Sequence, residues 1–284
     1  MSTVTIAAQN MSHNGLYTPN GDPDPGRWDG LMEAIDHHRP DVLLLQEVGR
    51  WTENNRTPIA RAEQALGMRM VGIVTTPTGG GTALMTNPDT VGWEQWEDRY
   101  ASRLHHGFGV AVLRLPGLDT PLAAISAHLT PYSATAAAQE AQILVARAYR
   151  YGGVGLIGGD INHFPFDDHA VPDPHTIPPY NRSARWIRDE GGSYRPDRAV
   201  ARVLASGGLT DVAPLVYERT GDASLLEATG RGRCRVDQFW GTPPLVPAIT
   251  GYGRHRHAFS DHSLITMRWD TARVDLDAAL PEWV

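Results

Sequence analysis

The stretch from Leu156 to Asn162 has the sequence Leu-Ile-Gly-Gly-Asp-Ile-Asn and decides how the chain is interpreted. It begins as a short apolar run, and its two glycines let the backbone turn and be approached closely. Asp160 and Asn162 follow two residues apart, a spacing that places both side chains on one face of a strand. A carboxylate beside an amide suits a hard cation or a phosphoryl group. Taken alone, these residues are also typical of a turn, so the rest of the chain decides between the two interpretations.

The overall composition is that of an acidic protein with a sizeable core. The chain has 284 residues, of which 41% are hydrophobic and 20% charged, with a formal net charge of -7 and a pI near 5.9. Such a charge argues against broad affinity for nucleic acid or anionic membranes, although a local basic cleft remains compatible with it. The single cysteine, Cys234, excludes an intrachain disulfide and fits a reducing compartment. Without an export signal or a membrane-length apolar run, we expect a cytoplasmic protein that does not enter a membrane.

Strands, loops and helices alternate along the chain, which predicts α/β layers in one domain over residues 1–284. Apolar runs predict strands at 4–8, 41–45, 70–75, 81–86, 91–100, 108–115, 122–128, 154–157, 234–240 and 264–269. Helical spacing predicts helices at 27–39, within 51–68, at 133–150 and at 198–205. The segment 164–180 has no periodicity and is predicted to be a long functional loop, and 213–225 is predicted to be irregular.

Six polar clusters recur where predicted strands end. They contain, in chain order, Asn10, Glu47, His128, Asp160 with Asn162, Asp237, and Asp261 with His262. Active-site groups of sheet proteins commonly gather at such ends. Carboxylates and amides without cysteine favour an oxygen-liganded Mg²⁺ or Mn²⁺ over a structural zinc. The histidines can be neutral or charged near pH 7, and an acid such as Asp237 can hold one imidazole in its tautomer.

These clusters resemble the motifs of the endonuclease/exonuclease/phosphatase superfamily, the deoxyribonuclease-I-like group. The matching motifs are Gln-Asn at 9–10, Leu-Gln-Glu-Val at 45–48, Ser-Ala-His-Leu at 126–129, Gly-Gly-Asp-Ile-Asn at 158–162, Arg-Val-Asp-Gln-Phe at 235–239 and Ser-Asp-His-Ser at 260–263. Each motif is short, but their family order makes the resemblance specific, and they span nearly the whole chain. The resemblance implies a four-layer α/β sandwich, in which two mixed β-sheets pack face to face with helices on the outside. It also implies metal-dependent phosphoester hydrolysis.

The resemblance further implies a metal site and a site for the attacking water. Glu47 is expected to be the principal ligand of the metal, with Asn10 beside it and Asp261 completing the site. Asp160 and Asn162 are expected to position the water and a phosphate oxygen, or a second metal. A cation of this kind neutralises the charge that develops on the phosphate while water attacks.

The two histidines are expected to act on the proton and the phosphate. His262, oriented by Asp237, is expected to be the general base or the imidazole that stabilises the phosphate. His128 is expected to be the partner acid or a hydrogen-bond donor to the phosphate. Some family nucleases pair the first histidine with a glutamate on an early hairpin strand, and residues 69–71 offer no equivalent. The segment from His163 to Pro196 is longer than the family pattern, which indicates a distinctive substrate pocket.

A concentration of arginines surrounds the last two motifs. Arg233, Arg235 and Arg256 lie near Asp237 and Asp261 in the sequence. A solvated surface is the ordinary explanation of such charges. Because acids of the candidate site bracket them, we interpret the three arginines as a rim that contacts substrate phosphate.

The sequence therefore predicts a phosphoesterase that uses Mg²⁺ or Mn²⁺ and acts on a phosphate ester, with DNA and nucleotides among the candidates. Nuclease and small-molecule phosphatase activities both stay open. The alternative is a catalytically silent relative that binds nucleic acid or a protein partner. The complete set of motifs argues against it, because a binding module needs neither both histidines nor all of the acids.

Overall fold

The regular elements alternate between strands and helices in the computed structural model, which describes residues 3–166 and 169–278. The strands are β1 Thr3–Asn10, β2 Val42–Gln46, β3 Arg69–Thr75, β4 Gly81–Thr86, β5 Gly92–Glu97, β6 Val110–Arg114, β7 Leu122–His128, β8 Gly155–Asp160, β9 Trp186–Arg188, β10 Tyr194–Pro196, β11 Thr210–Asp211, β12 Asp237–Gly241, β13 Ile249–His255 and β14 Leu264–Asp270. The α-helices are α1 Pro25–Asp36, α2 Thr57–Leu66, α3 Ala134–Ala148, α4 Pro179–Arg185, α5 Ala199–Ser206 and α6 Val212–Thr220. None of the helices in this described part of the chain combines the length and the apolar character that crossing a bilayer requires.

Two mixed sheets of six strands each form the centre of the molecule. Their strand orders are β13-β14-β1-β2-β4-β3 and β11-β12-β8-β7-β6-β5. In each sheet one pair is parallel, β1 with β2 and β7 with β8, and the other pairs are antiparallel. Leu44 and Leu84 of the first sheet share one buried cluster with Leu156 and Phe239 of the second. The sheets therefore pack face to face.

Helices cover the outer face of each sheet. Along β2, Leu44 points into the core between the sheets, whereas Leu43 and Leu45 pack with Leu31 of α1 and Ile59 of α2. On the second sheet, α3 and α5 supply buried residues to the cluster that contains strand residues of β7 and β8. The alternation explains why β2 is apolar along its whole length. The predicted four-layer α/β sandwich is confirmed.

Several elements differ from the sequence prediction. Helix α6 covers residues 213–220 of the stretch predicted to be irregular and begins one residue before it. The side chain of Asp211 accepts from the N–H of Ala213, and Gly221 ends the helix with a left-handed φ of 72°. The glycine-containing edge strand β13 was not predicted, because its apolar pattern is interrupted. Helix α4 and the hairpin β9-β10 lie in the segment 163–196, partly inside the predicted loop 164–180, of which residues 167 and 168 lie outside the described residues.

Gly158 and Gly159 allow the strand that leads to Asp160 to fit between its neighbours. A Cβ on Gly158 would lie 2.5 Å from the ring of Phe239. Gly159 has a φ of 131°, and a Cβ there would lie 2.4 Å from the carbonyl oxygen of Ala127 and 2.5 Å from the amide nitrogen of Gln46. The glycine pair is thus required by the packing of the second sheet at the point where β8 ends.

We expect Gly159→Ala to lower the free energy of unfolding by about 2–5 kcal/mol, since it combines a strained φ with overpacking against backbone. Urea denaturation measures the change. Gly92→Ala is the matched control, because Gly92 is a strand glycine of the same sheet whose Cβ would meet only the side chain of Arg114 at 3.6 Å. Equal stability of the two variants would contradict this account of Gly159.

Candidate active site

The motif residues meet where strands of the two sheets end. Asn10 is the last residue of β1, and His128 and Asp160 are the last residues of β7 and β8. Strand register places His128 opposite Asp160 across the parallel pair, and Asp160 opposite Asp237 across the antiparallel pair. Each of these four side chains is buried. Adjacent strand ends thus gather an amide, an imidazole and two carboxylates at one edge.

Asp160 is the centre of this group. Its Oδ2 accepts a hydrogen bond of 3.0 Å from the amide nitrogen of Asn10, and its Oδ1 accepts one of 3.0 Å from the backbone N–H of Asn162. The Nε2 atoms of His128 and His262 lie 3.5 and 3.8 Å from the same Oδ2. A buried carboxylate needs such partners, because burial without them is costly. Asp160 therefore holds groups from four of the predicted motifs together.

His262 lies between two carboxylates. Its Nδ1 is 2.9 Å from Oδ2 of Asp237, and its Nε2 faces Asp160. Burial alone lowers the pKa of His262, but the charges of Asp237 and Asp160 outweigh it and raise the pKa to about 10. Burial also raises the pKa of Asp237, so the pair keeps one proton between its members at neutral pH. The arrangement presents an imidazolium next to Asp160.

His128 is a neutral imidazole packed against a second histidine. Burial lowers its pKa to about 4, although the charge of Asp160 opposes this. The ring of His106 stacks on His128 with centroids 3.8 Å apart, and burial lowers the pKa of His106 to about 3. His106 is thus a second, half-buried imidazole that contacts the ring of His128. The sequence analysis missed this residue, which follows no strand and belongs to no motif.

Glu47 faces the cavity that contains these groups. This cavity has a volume of about 380 Å³, and Glu47, His128, Asp160 and His262 are among its lining residues. The backbone of Glu47 has a φ of 56°, and its Oε2 accepts a hydrogen bond of 2.8 Å from the N–H of His13. A residue other than glycine in this conformation carries backbone strain, which concentrates at functional sites.

The expected ligands Asn10 and Asp261 have partners of their own. The Oδ1 of Asn10 accepts from the N–H of Ser12 at 2.9 Å. Oδ2 of Asp261 pairs with Arg231 at 3.0 Å, whereas its Oδ1 is buried and has no hydrogen-bond partner among the described residues. The donor set is made of oxygens without sulfur, and one buried oxygen is left unsatisfied. These features fit a hard cation such as Mg²⁺ or Mn²⁺.

A different trio also brings potential ligand atoms together. In the described part of the chain, atoms of Asp160, Asp237 and His262 lie within 4.8 Å of one another and could hold a metal ion. However, a protonated imidazole cannot ligate a metal, and both ring nitrogens of His262 already face carboxylates. An ion at this trio would have to displace the proton that now balances the two acids.

The three arginines of the expected rim have different environments. Arg233 and Arg256 are exposed and line a cavity of about 840 Å³ together with Asp261 and His262. Arg235 lines neither this cavity nor the one that contains Glu47, and its contact with substrate stays a prediction. Its side chain is fully buried and forms an ion pair with Asp211.

A model of the Endonuclease/Exonuclease/phosphatase family matches residues 10–262. The chain belongs to this family. No curated protein matches the chain significantly in sequence.

Several solved structures have a similar fold and align with nearly the whole of this chain. D. rerio TDP2 in complex with a single-strand DNA product is 15% identical, with a TM-score of 0.64 and coverage of 95% of this chain and 100% of that one. An AP endonuclease from Archaeoglobus fulgidus is 16% identical, with a TM-score of 0.62 and coverage of 94% and 99%. The 3′ phosphatase NExo from Neisseria, bound to a product DNA hairpin, is 15% identical, with a TM-score of 0.59 and coverage of 95% and 100%. At these identities the likeness shows a shared fold.

Arg185 is a further residue of the candidate site that no sequence motif indicated. Its Nε donates to the backbone oxygen of Asn162 at 2.7 Å, and its Nη2 donates to Oδ1 of the same residue at 2.9 Å. Asn162 itself has a φ of 62°, and its Nδ2 donates to the backbone oxygen of Leu129. Arg185 therefore fixes the orientation of Asn162. It ends α4, and the only sequence signal for it was the unusual length of the segment 163–196.

We expect Arg235→Ala to lower the free energy of unfolding by about 3–5 kcal/mol, because it leaves Asp211 with a buried charge that has lost this cation. Arg233→Ala is the matched control, since Arg233 is exposed and two residues away. Thermal and urea denaturation measure both variants. If Arg235→Ala has a small effect, comparable to that of Arg233→Ala, the ion pair is not what Arg235 is needed for, and the predicted contact with substrate is favoured.

Proposed function

We propose that this protein is a divalent-metal-dependent phosphoester hydrolase that uses Mg²⁺ or Mn²⁺. The observation that carries the proposal is the position of Asp160, which bonds or approaches Asn10, Asn162, His128 and His262 at once. A stable fold has no need to gather four imidazoles and two carboxylates around one cavity. Hydrolysis of a phosphate ester needs a positioned water and cationic groups on the phosphate, and these residues can supply both.

Glu47, together with Asn10 and Asp261, would hold the cation. Two observations support this choice. Glu47 lines the cavity, and Oδ1 of Asp261 has no hydrogen-bond partner among the described residues. When bound, a divalent cation neutralises charge on the phosphate oxygens and polarises the phosphorus toward attack.

Around the phosphate, each protein group has a role that its environment supports. Asp160 orients the attacking water and can accept its proton, because its carboxylate lies at the centre of the group. His262 donates a hydrogen bond to a phosphate oxygen as an imidazolium, and Asp237 keeps it oriented and protonated. His128 acts as a neutral donor on the opposite side. Asn162 contributes an amide hydrogen from an orientation that Arg185 fixes.

The substrate is a phosphate ester, and DNA or a nucleotide is the first class to test. Two solved structures of the same fold hold DNA products, a single strand in D. rerio TDP2 and a hairpin in Neisseria NExo. Arg233 and Arg256, which are exposed beside His262, are the side chains that would contact further phosphate groups. We place this activity in the cytoplasm, as predicted from the sequence.

We expect EDTA to abolish hydrolysis of nucleotide and oligonucleotide esters, and Mg²⁺ or Mn²⁺ to restore it. Glu47→Gln should lower kcat/KM by about 100-fold or more, because it removes the charge that holds the cation. Glu53→Gln is the control, since Glu53 is an exposed acid of the same loop that pairs with the exposed Arg50. Hydrolysis that survives EDTA would defeat the proposal. Binding of DNA without any hydrolysis would favour the silent relative instead.

We expect Asp237→Asn to lower kcat by about 10²- to 10⁴-fold, with little change in KM. The loss of the carboxylate lowers the pKa of His262, so its imidazolium is lost at a lower pH. The alkaline limb of the pH–rate profile should therefore move to lower pH. Asp89→Asn, at an exposed turn, is the control. An unchanged alkaline limb would show that the charge of His262 does not matter to the reaction.

A further inference from the structure

We propose that the described part of the segment from His163 to Pro196 (residues 163–166 and 169–196) builds a second substrate subsite, which binds an anionic group that the substrate carries beside its ester phosphate. The inference rests on the proposed hydrolase function and specifies its substrate class. The substrate would be a phosphate ester with a second phosphate nearby, either on a small molecule or along a nucleic acid strand.

The subsite is a cavity that adjoins the candidate active site. Its volume is about 490 Å³, and it lies between the segment and the residues 231–236. Asn162 and His262 line both this cavity and the one of about 380 Å³ that contains Glu47 and Asp160. A ligand whose ester phosphate reaches His262 therefore has direct access to the second cavity.

The charges on the cavity wall are of one sign. Its lining contains Arg185, Arg231 and Arg233 as well as the imidazolium of His262, and no carboxylate lines it among the residues that the structure describes. By contrast, Asp173 and Glu227 line the larger neighbouring cavity. The whole chain has 32 acids against 25 lysines and arginines. A wall with three arginines and no acid is therefore a local reversal of the overall charge, and it favours an anion.

The wall is held in place by a small core of its own. Phe164 and Trp186 of the segment pack with Cys234 and Val236, which precede β12. The backbone N–H of Asp197 donates to the oxygen of Arg185 at 2.8 Å, which fixes the end of α4. Trp186 and Val236 also line the cavity. The subsite is thus an ordered cleft in which apolar side chains lie beside the arginines.

Arg185 connects the subsite to the active site. Two of its nitrogens hold Asn162, and its Nη1 lies toward the loop at Gly232 on the cavity side. An anion bound there would meet a guanidinium that is already oriented, so little side-chain entropy would be lost.

Arg233 is the arginine of the subsite that is available to bind an anion. Its side chain is exposed and forms no ion pair with any residue of the described ranges. Its backbone has a φ of 54°, a conformation that glycine adopts without strain, yet the residue is an arginine. Arg231, in contrast, already pairs with Asp261. Arg233 should therefore contribute most to the recognition of the second anion.

The test compares substrates that differ by one phosphate. In the presence of Mg²⁺, kcat/KM is measured for adenosine 5′-monophosphate, adenosine 3′,5′-bisphosphate and a single-stranded oligonucleotide. We expect the second phosphate to raise kcat/KM by about 10- to 100-fold, mainly through KM, as charge-assisted hydrogen bonds do. Arg233→Gln should remove most of this preference. Arg195→Gln should retain it, because Arg195 is an exposed arginine of the same segment that does not line the cavity.

Calorimetric binding of the same three probes in EDTA separates this inference from the proposed hydrolysis. If nothing is hydrolysed but Arg233→Gln weakens binding of the bisphosphate about 10-fold or more, the subsite stands and the hydrolase proposal fails. If esters are hydrolysed without preference for a second phosphate, and Arg233→Gln changes no ratio, the subsite is overturned. If Arg233→Gln removes the preference, the favoured probe identifies what carries the second phosphate. A preference for the bisphosphate identifies a small molecule, and a preference for the oligonucleotide identifies a nucleic acid strand.

Discussion

The buried carboxylate of Asp160 is the constraint on which the candidate site depends. A charge at 2% exposure is tolerated only when donors and cations surround it. Those partners come from β1, from the chain after β8, from β7 and from the turn before β14. These partners therefore come from four separate segments of the chain. The need to satisfy one acid therefore ties both sheets together at the edge where they could bind a phosphate.

Backbone geometry makes this convergence possible. Gly159 adopts a φ of 131° beside Ala127 and Gln46, so β8 can reach the cleft while packed between β7 and β12. Glu47 and Asn162 both have positive φ although neither is glycine. Such strain persists only where surrounding contacts hold the residue, here a bond from His13 to the side chain of Glu47 and one from Arg185 to the backbone oxygen of Asn162. The site combines rigid strand ends with strained residues directly after them.

The arginines show that two residues of the same type, close together in the sequence, can have different environments and functions. Arg233 and Arg235 are two residues apart and were given the same role from the sequence. One is exposed at a cavity, and the other is buried against Asp211, which lies 24 positions earlier in the chain. Local charge pattern carries no information on burial of this kind. The same argument applies to Arg185, whose function comes from contact with Asn162.

The sequence by itself determined the layered α/β fold and the motifs of the site, because strand ends carry the polar residues and apolar periodicity marks the strands before them. It also determined the family, since the motifs keep their order from Asn10 to His262. Only the tertiary structure decided which side chains meet. The stacking of His106 on His128, the hold of Arg185 on Asn162 and the burial of Arg235 all join positions far apart in the chain. Helix α6 and strand β13 also escaped prediction, because packing and sheet pairing outweigh weak local patterns.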